Sequence, residues 1–509
     1  MTLHPAILES PTVAAIKTYI QDKWQELTRT PANTLDAAFD EKVSHDKDSC
    51  WLIYISGQED VDQITEHLRQ VVPPEDFENL LVKPLPLENE QIDSHGLLYL
   101  PGEYVVPGGR FNELYGWDSY FIVLGLLRDQ KYDLAKSVID QQLYEVKHYG
   151  TVLNANRTYY LNRSQPPLLS RMVLEWYEYG QDADWLFNAL PQIESYYYYW
   201  VVPTHLNQAT GLSRYFSVAG GPAPEVLYSE VDEEGRSHFE RVKDYYRDHT
   251  IDDYDVSLYY DREKDELTEL FYKGDRAMRE SGLDTSNRFG PFSVDIIHHA
   301  PVCLNVLLYQ TEQDLAQIHD ILGHADLAEQ WRSRAEHRRG LIDRYLWSEE
   351  SGFYMDYNFK TSCHCRYEFA TAFYALWGGV ASPEQAKGLV DGLSRFEAPG
   401  GLRTSNVVSG NQWDAPFGWA PFQYFAVKGL MRYGYEDEAL RLAENFVALI
   451  VKDFERCGVL LEKYNIETCT GEVEDDIEFG YGTNQVGFGW TNGVVLELLA
   501  ILEQAQALK

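Results

Sequence analysis

A succession of amphipathic segments with helical spacing runs along most of this chain of 509 residues. From about residue 118 onward, apolar residues recur every three or four positions in one segment after another, as in EDEALRLAENFVALIVKDF. After many segments comes a long connection rich in glycine, proline and aromatic residues. The segment that follows then ends in a short turn such as YGYED or GHAD. Helical hairpins arranged in a ring fit this alternation. The sequence therefore predicts a mainly α fold, a toroid of helical hairpins.

The N-terminal part of the chain follows a different pattern. Residues 1–95 are acidic, contain the strand-like run CWLIYISG and end in a proline-containing stretch, which predicts a small N-terminal α/β appendage. Residues 96–509 are assigned to the toroid. Within them, residues 203–270 interrupt the helical rhythm, and we expect an extended loop insertion over the site. A toroid of this kind would carry its site in the long loops at one end.

Charge and composition exclude several classes of function. The 80 acidic and 43 basic residues give a formal net charge of −37, which repels nucleic acid and anionic lipid surfaces. The start of the chain has no basic, then apolar, signal pattern, and no run of about 18 apolar residues occurs. The six cysteines are few and lack zinc-finger spacing. We expect a cytoplasmic protein with a small-molecule partner, without nucleic acid or membrane partners; its oligomeric state stays open.

Three loops interleave polar side chains with aromatic ones. Arginine donors and aromatic faces suit the hydroxyl groups and the apolar face of a sugar ring. The alternative for each loop alone is a glycine-rich turn with core aromatic residues and a helix-capping aspartate. Because the three loops share one composition, a carbohydrate pocket is favoured, with candidate residues Arg110, Phe111, Trp117, Asp118, Asn156, Arg163, Gln165, Gln412, Trp413 and Asp414.

The same loops carry motifs that resemble those of the trehalase family. The two signature patterns of that family, PGGRF-x-E-x-Y-x-W-D-x-Y and Q-W-D-x-P-x-G-W-A-P, are both present here. Further matches follow in the order of the family, over roughly residues 100–500: RSQPP, RESGLDTSNR, GGLRTS, LLEKYN and GFGWTNGV. The resemblance implies an (α/α)6 toroid and an inverting glycoside hydrolase that releases glucose from an α-glucoside without a cofactor.

The resemblance also implies a catalytic pair. Asp284 matches the general acid of the family motif E-S-G-W-D-x-S-x-R, and Glu462 matches the general base of the motif E-K-Y. An inverting pair places its carboxyl groups about 6.5–9.5 Å apart, with room for a water molecule between them. The sugar-binding positions implied by the matched motifs are Arg110, Phe111, Trp117, Asp118, Asn156, Arg163, Gln165, Glu225, Arg276, Glu280, Gln412, Trp413, Asp414, Tyr481, Gln485 and Trp490.

The chain departs from the family where the pocket closes and holds the leaving group. The glycine-rich lid is mostly replaced, and Tyr481 stands in place of its glutamate. Ala223 replaces the arginine of the motif R-P-E-S, and Leu283 replaces a tryptophan beside the acid. A site that hydrogen-bonds particular hydroxyl groups rejects ligands that lack them, so these changes bear on the substrate. Trehalose is the expected substrate, with glucosylglycerol or glucosylglycerate as the alternative.

Two further classes of function are considered as alternatives. A catalytically inactive sugar-binding protein could use the same toroid, but retention of both Asp284 and Glu462 argues against it. A metal site is suggested by His298, His299, Cys303 and the C-H-C run of residues 363–365. Adjacent histidines on a helix point to different faces, and C-H-C lacks zinc spacing, so no metal is expected.

Overall fold

A computed structural model describes residues 8–42, 50–229, 232, 235–473, 477–480 and 483–508. Helices are the main elements of the fold. Their bounds are α1 Pro11–Leu27, α2 Thr34–Ala38, α3 Val61–Val71, α4 Pro74–Phe77, α5 Asp118–Arg128, α6 Tyr132–Tyr149, α7 Leu169–Gly180, α8 Ala183–Val201, α9 Pro224–Ser229, α10 His238–Asp248, α11 Glu269–Glu280, α12 Val302–Ile321, α13 Ala325–Leu346, α14 Tyr374–Trp377, α15 Pro383–Asp391, α16 Ala420–Arg432, α17 Glu436–Cys457 and α18 Gly489–Ala507.

Short strands and 3-10 turns lie in the connections between these helices. The strands are β1 Thr28–Arg29, β2 Trp51–Ile55, β3 Leu80–Pro84, β4 Leu97–Leu98, β5 Tyr104–Val105, β6 Tyr260–Asp261, β7 Glu266–Leu267, β8 His299–Ala300, β9 Trp347–Ser348, β10 Phe353–Tyr354, β11 Tyr357–Asn358, β12 Cys363–His364, β13 Glu397–Ala398, β14 Gly401–Leu402, β15 Phe417–Trp419 and β16 Lys463–Asn465. The 3-10 turns are Pro31–Asn33, Asn89–Gln91, Thr158–Tyr160, Val256–Leu258, Pro291–His298, Ala370–Phe373 and Leu393–Arg395.

The helices form a closed ring, as predicted. Within the described ranges, helices α5, α7, α12, α14, α16 and α18 each contact the next, and α18 returns to contact α5. Partner helices, among them α6, α8, α13 and α17, pack against this inner ring from outside. Short turns join inner to outer helices at one end, and the long connections lie at the other. The prediction of a mainly α toroid is therefore confirmed.

The ring closes where α18 crosses α5 at two glycines. A Cβ atom on Gly493 would lie 1.9 Å from the backbone oxygen of Phe121, and one on Gly125 would lie 2.7 Å from the Cα atom of Gly493. No side chain fits between the two backbones at this point. The absence of a Cβ atom at both positions thus lets the first and last inner helices pack in close contact.

Helix α1 lies on the toroid. Its buried residues follow one helical stripe, Val13, Ile16, Ile20, Trp24 and Leu27, and they belong to the same hydrophobic core as the inner helices. The helix packs against α17 and α18, in the position of an outer helix. We therefore propose to redraw the N-terminal unit, predicted as residues 1–95, so that it begins after α1.

The rest of the N-terminal unit has a small core of its own. Strand β2 lies between β3 and β4 and pairs with both in parallel, and α3 connects β2 to β3. Ile53, Ile55, Leu68 and Leu80 pack together in a cluster separate from the main core. In the part of the chain that the structure describes, no helix has the length and apolar character needed to cross a bilayer.

The glycine crossing gives a first prediction. We expect Gly493→Ala to destabilise the fold by about 2–3 kcal/mol, because the new methyl group overlaps backbone and only a helix shift relieves it. The measurement is the free energy of unfolding in urea. Gly340→Ala is the matched control, since Gly340 is an exposed position of α13 with open space around it; this change should be neutral or stabilise by about 0.5–1 kcal/mol. Equal stability of the two variants would contradict the role given to the crossing.

Candidate active site

A cavity opens at the end of the toroid where the long connections lie. The space inside it, including the part open to solvent, is about 820 Å³. Its wall combines carboxylates, cations and aromatic rings. The carboxylates are Asp118, Glu225, Asp284 and Glu462, and the cations are Lys42, Arg110, Arg163 and Arg279.

Tryptophan rings form the floor of this cavity. Trp117 is the N-cap residue of the inner helix α5. Its ring centroid lies 5.7 Å from that of Trp490 in α18 and 6.1 Å from that of Trp413. Trp413 stacks on Trp419 with ring centroids 3.8 Å apart and an angle of 5° between the planes. This stack, in the QWD stretch, fixes the tilt of the Trp413 ring that faces the cavity. The floor is a rigid apolar surface suited to the apolar face of a sugar ring.

Glu462 is held through its backbone. Its carbonyl oxygen accepts a hydrogen bond from Trp490 Nε1 at 3.0 Å, and its amide nitrogen donates to the carbonyl oxygen of Gln485 at 2.9 Å. The next residues, Lys463–Asn465, form strand β16, which pairs with β15. Glu462 itself is buried and lines the cavity. Its carboxyl group is therefore presented from a fixed main chain to an enclosed space.

Asp284 faces the same cavity from the loop after α11. Its side chain keeps 30% of its surface exposed, and its Oδ2 accepts a hydrogen bond from Arg279 Nη1 at 3.4 Å. Gln412 donates to the backbone carbonyl of Asp284 and accepts from Lys463 Nζ at 2.8 Å. One side chain of the QWD stretch thus connects the loop of Asp284 to the residue that follows Glu462.

Asp118 is a third carboxyl group in this cavity, at the start of α5. Burial raises its pKa well above the ordinary value of 3.8, and the negative charges of Glu462 and Asp284 raise it further. Three carboxyl groups that interact in one enclosed space cannot all ionise without a large cost. We expect Asp118 to hold a proton at a higher pH than an exposed aspartate does.

An arginine-rich wall faces these acids. Arg163 donates to Glu225, and its guanidinium group lies 4.8 Å from the centroid of the Tyr160 ring. Burial would raise the pKa of Glu225, but the charges of Arg163 and Arg279 outweigh it and lower that pKa. Glu225 therefore stays ionised and fixes the position of Arg163. Residues 203–270, predicted as an insertion over the site, reach the cavity at this wall through Glu225 and Val226.

The structure separates the sequence-predicted site residues into two groups. Those that line the cavity are Arg110, Phe111, Trp117, Asp118, Arg163, Gln165, Glu225, Asp284, Trp413, Glu462 and Trp490. Tyr481 lies outside the described residues. The others lie behind the wall, namely Asn156, Arg276, Glu280, Gln412, Asp414 and Gln485. The catalytic and binding roles assigned to both groups stay predictions.

The residues behind the wall fix the loops that form it. Glu280 accepts hydrogen bonds from the amide nitrogens of Ser164 at 3.2 Å and Phe216 at 2.9 Å, so it joins the RSQPP loop to the insertion. Asn156 accepts from the amide of Leu114 at 2.8 Å. Arg276 donates to the carbonyl oxygens of Gly220, Gly221 and Pro222, and Asp414 accepts from Asn287, Ser405 and Ser409.

Several cavity residues were missed by the sequence reasoning. Asn154 and Arg279 belong to stretches that match the family. In the stretch of Asn154, the predicted site residue was Asn156 instead, because a sequence does not show which side chains point into a cavity. Tyr115, Tyr160 and Phe488 also line the cavity beside motif residues. Lys42 comes from the N-terminal unit, far from the motifs along the chain. Only the three-dimensional contact reveals it.

The residues that suggested a metal site have other partners. His298 Nδ1 lies 2.8 Å from Asp295 Oδ1, and His299 Nδ1 lies 2.8 Å from the backbone oxygen of Asp295. His364 Nε2 lies 2.9 Å from the backbone oxygen of Tyr345. Over the described ranges, no group of three or more histidine, cysteine, aspartate or glutamate residues is arranged to hold a metal ion.

The chain is similar to trehalases over nearly its whole length. A family model described as Trehalase matches residues 5–503. A cytosolic neutral trehalase of Neurospora crassa is 37% identical over 475 residues, covering 84% of this chain and 62% of that protein. A cytosolic neutral trehalase of Pyricularia oryzae is 39% identical over 442 residues, covering 78% and 59%. The chain thus spans about three fifths of the length of these curated relatives.

Solved structures agree with the sequence comparison. The neutral trehalase Nth1 from Saccharomyces cerevisiae superimposes with a TM-score of 0.80 at 31% identity, over 98% of this chain and 96% of that one. A GH63 mannosylglycerate hydrolase from Thermus thermophilus gives a TM-score of 0.52 at 20% identity, over 77% of this chain and 95% of that one. The second likeness concerns the fold alone.

The raised pKa of Asp118 gives a second prediction. Because its folded pKa lies above its unfolded value, the stability that Asp118 contributes is present below about pH 4 and is lost as the pH rises toward the folded pKa. Asp118→Asn removes this loss, so we expect the variant to be more stable than the parent by about 1–3 kcal/mol at about pH 7 and by less at about pH 4. Chemical unfolding at both pH values measures this difference.

Asp133→Asn is the matched control for this comparison. Asp133 also lies in the first turn of a helix, α6, but it is exposed. Loss of its charge should destabilise by about 0.3–1 kcal/mol, because a negative charge near a helix N-terminus is favourable. A destabilised Asp118→Asn variant at about pH 7 would show that Asp118 is ionised and well paired.

Proposed function

The chain belongs to the trehalase family of glycoside hydrolases, and from this membership we propose that it hydrolyses trehalose to glucose with inversion at the attacked carbon. The observation that carries the proposal is the meeting of Asp284 and Glu462 in one cavity with a tryptophan floor. The curated relatives are named cytosolic, and the proposal includes the same location.

The two carboxyl groups would act on opposite sides of one glycosidic bond. Asp284 gives its proton to the glycosidic oxygen as the bond to the anomeric carbon breaks. Glu462 takes a proton from a water molecule, whose oxygen attacks the anomeric carbon from the opposite face. After the reaction Asp284 is ionised and Glu462 is protonated. Proton exchange with solvent then restores both residues to their starting states. The buried, fixed position of Glu462 and the partly open position of Asp284 suit a base that holds water and an acid that releases an alcohol.

Arg279 supports trehalose over a smaller leaving group. Ala223 replaces an arginine of the family motif, so this position supplies no cation here, and the alanine is fully buried. Arg279 reaches the cavity from α11, donates to Asp284 and lies close enough to Glu225 to lower the pKa of that acid. A guanidinium group therefore lies in the cavity wall beside Asp284, although Ala223 supplies none. We propose that Arg279 takes the part of the missing motif arginine, which favours trehalose over glucosylglycerol or glucosylglycerate.

The catalytic pair gives a third prediction. Asp284→Asn and Glu462→Gln should each lower kcat for trehalose by about 100-fold or more, because each removes one proton transfer while preserving side-chain shape. Initial rates of glucose release provide the measurement. Asp326→Asn and Glu349→Gln, two exposed positions in and after α13, are the matched controls and should leave the rate unchanged. Full activity of either cavity variant would remove that residue from the mechanism.

The anomers of the products test inversion separately. Inverting cleavage of α,α-trehalose releases one β-glucose from the attacked ring and one α-glucose from the leaving ring. Proton nuclear magnetic resonance within the first minutes should therefore show equal amounts of both, whereas retention would give α-glucose alone.

The same assay with glucosylglycerol and glucosylglycerate tests the substrate. Faster cleavage of either compound than of trehalose would overturn the proposed substrate.

A further inference from the structure

Lys42 reaches the cavity from the N-terminal unit. Its ammonium nitrogen donates to Tyr115 Oη at 3.1 Å and to Glu113 Oε1 at 3.2 Å, and it lies 5.6 Å from the centroid of the Phe111 ring. Tyr115 and Phe111 line the cavity beside it. The side chain keeps 17% of its surface exposed. Among the described residues, it is thus the point where the N-terminal unit touches the space proposed for the sugar.

Buried hydrogen bonds fix the backbone just before Lys42. Arg157 is fully buried, and it donates to the carbonyl oxygens of Ala37 at 2.8 Å, Ala38 at 2.9 Å and Phe39 at 2.8 Å. Its Nε also donates to Glu113 Oε1 at 2.9 Å. These contacts hold the segment against the toroid. The position of Lys42 therefore follows from a rigid connection.

The contact at Asp40 extends this connection to Lys42 itself. Tyr159 Oη donates to Asp40 Oδ2 at 2.8 Å, and the amide nitrogen of Lys42 donates to Asp40 Oδ1 at 2.9 Å. The carboxyl group of Asp40 thus links Tyr159 of the toroid to the backbone of Lys42. These two hydrogen bonds anchor the backbone at Lys42 to the toroid.

The chemistry of Lys42 suits a sugar hydroxyl group. Burial would lower its pKa, but Glu113 together with Tyr160 and Asp40 outweighs burial and raises it, so the side chain stays an ammonium group. An ammonium group carries three N–H donors. Within the described residues, two of them meet Glu113 and Tyr115, and the group borders open cavity space. Oxygen acceptors on a ligand in that space are within its reach.

We propose that Lys42 is a specificity-determining residue that donates a hydrogen bond to one hydroxyl group of the bound disaccharide. The inference rests on the proposed function, because it assumes a sugar in this cavity. It goes beyond that function in making the N-terminal unit a part of the substrate site. A purely structural role, neutralising Glu113, is the competing explanation, and Arg157 already supplies a cation to that carboxylate.

The first experiment compares Lys42→Met with the parent protein on trehalose. We expect kcat/KM to fall about tenfold to a hundredfold, the usual effect of losing a hydrogen bond to a charged group, mainly through a rise in KM. Lys83→Met is the matched control, because Lys83 is an exposed lysine of the same unit on β3. It should leave kcat/KM unchanged. An unchanged kcat/KM in Lys42→Met overturns the proposal.

A set of monodeoxy trehaloses separates a substrate contact from a structural role. The parent protein should lose activity on the analogue that lacks the contacted hydroxyl group, and Lys42→Met should lose nothing further on that analogue. On the other analogues, the full effect of Lys42→Met should persist. An equal loss on every sugar would show a structural role and overturn the proposal.

Two safeguards keep the outcomes distinct. If the parent protein fails to cleave trehalose, the proposed function fails and the inference falls with it; if the parent cleaves trehalose and Lys42→Met matches it, only the inference fails. Should Lys42→Met not fold, Lys42→Arg keeps the charge beside Glu113 and carries the test. Its planar, bulkier group should change the ranking of the deoxy sugars, and an unchanged ranking overturns the inference.

Discussion

The close crossing of the first and last inner helices, at Gly125 and Gly493, is the constraint on which the site depends. It closes the ring, and it brings the starts of α5 and α18 side by side, so that the rings of Trp117 and Trp490 touch. A side chain at either glycine would separate the helices and open the floor between the two rings. The same helix contact thus closes the ring and forms part of the cavity floor. The two helices that make it lie more than 300 residues apart in the sequence.

From that floor the placement of Asp284 and Glu462, the proposed catalytic pair, follows through the main chain. Trp490 Nε1 holds the carbonyl oxygen of Glu462, and Thr491 Oγ1 donates to the carbonyl oxygen of Leu461 at 2.8 Å. Gln412 connects the backbone of the Asp284 loop to Lys463. Backbone contacts thus carry part of the positioning, and both side chains line the cavity, where Arg279 donates to Asp284. Positioning through the main chain suits the changes of protonation that we propose for these two carboxyl groups.

The sequence predicted features that depend on local pattern and on motif, and missed those that depend on long-range contact. Helical periodicity predicted the toroid, and matched motifs led to Asp284, Glu462 and the tryptophans of the floor. Helix α1 was assigned to an appendage, although its stripe of buried residues is amphipathic, because periodicity shows which face is buried and not what covers it. Lys42 has no motif around it, and a tertiary contact alone brings it to the cavity.

The charge of the cavity differs from that of the whole chain, and this difference bears on the substrate. The chain carries a formal charge of −37, yet four cations face four carboxyl groups in the cavity lining, one of which, Asp118, resists ionisation. A surrounding negative field neither attracts nor repels a neutral disaccharide. Binding of a neutral disaccharide, the proposed substrate, then depends on directed hydrogen bonds and ring stacking. A balanced set of donors and acceptors over a tryptophan floor provides both, with cations that reach it from the motif loops, α11 and the N-terminal unit.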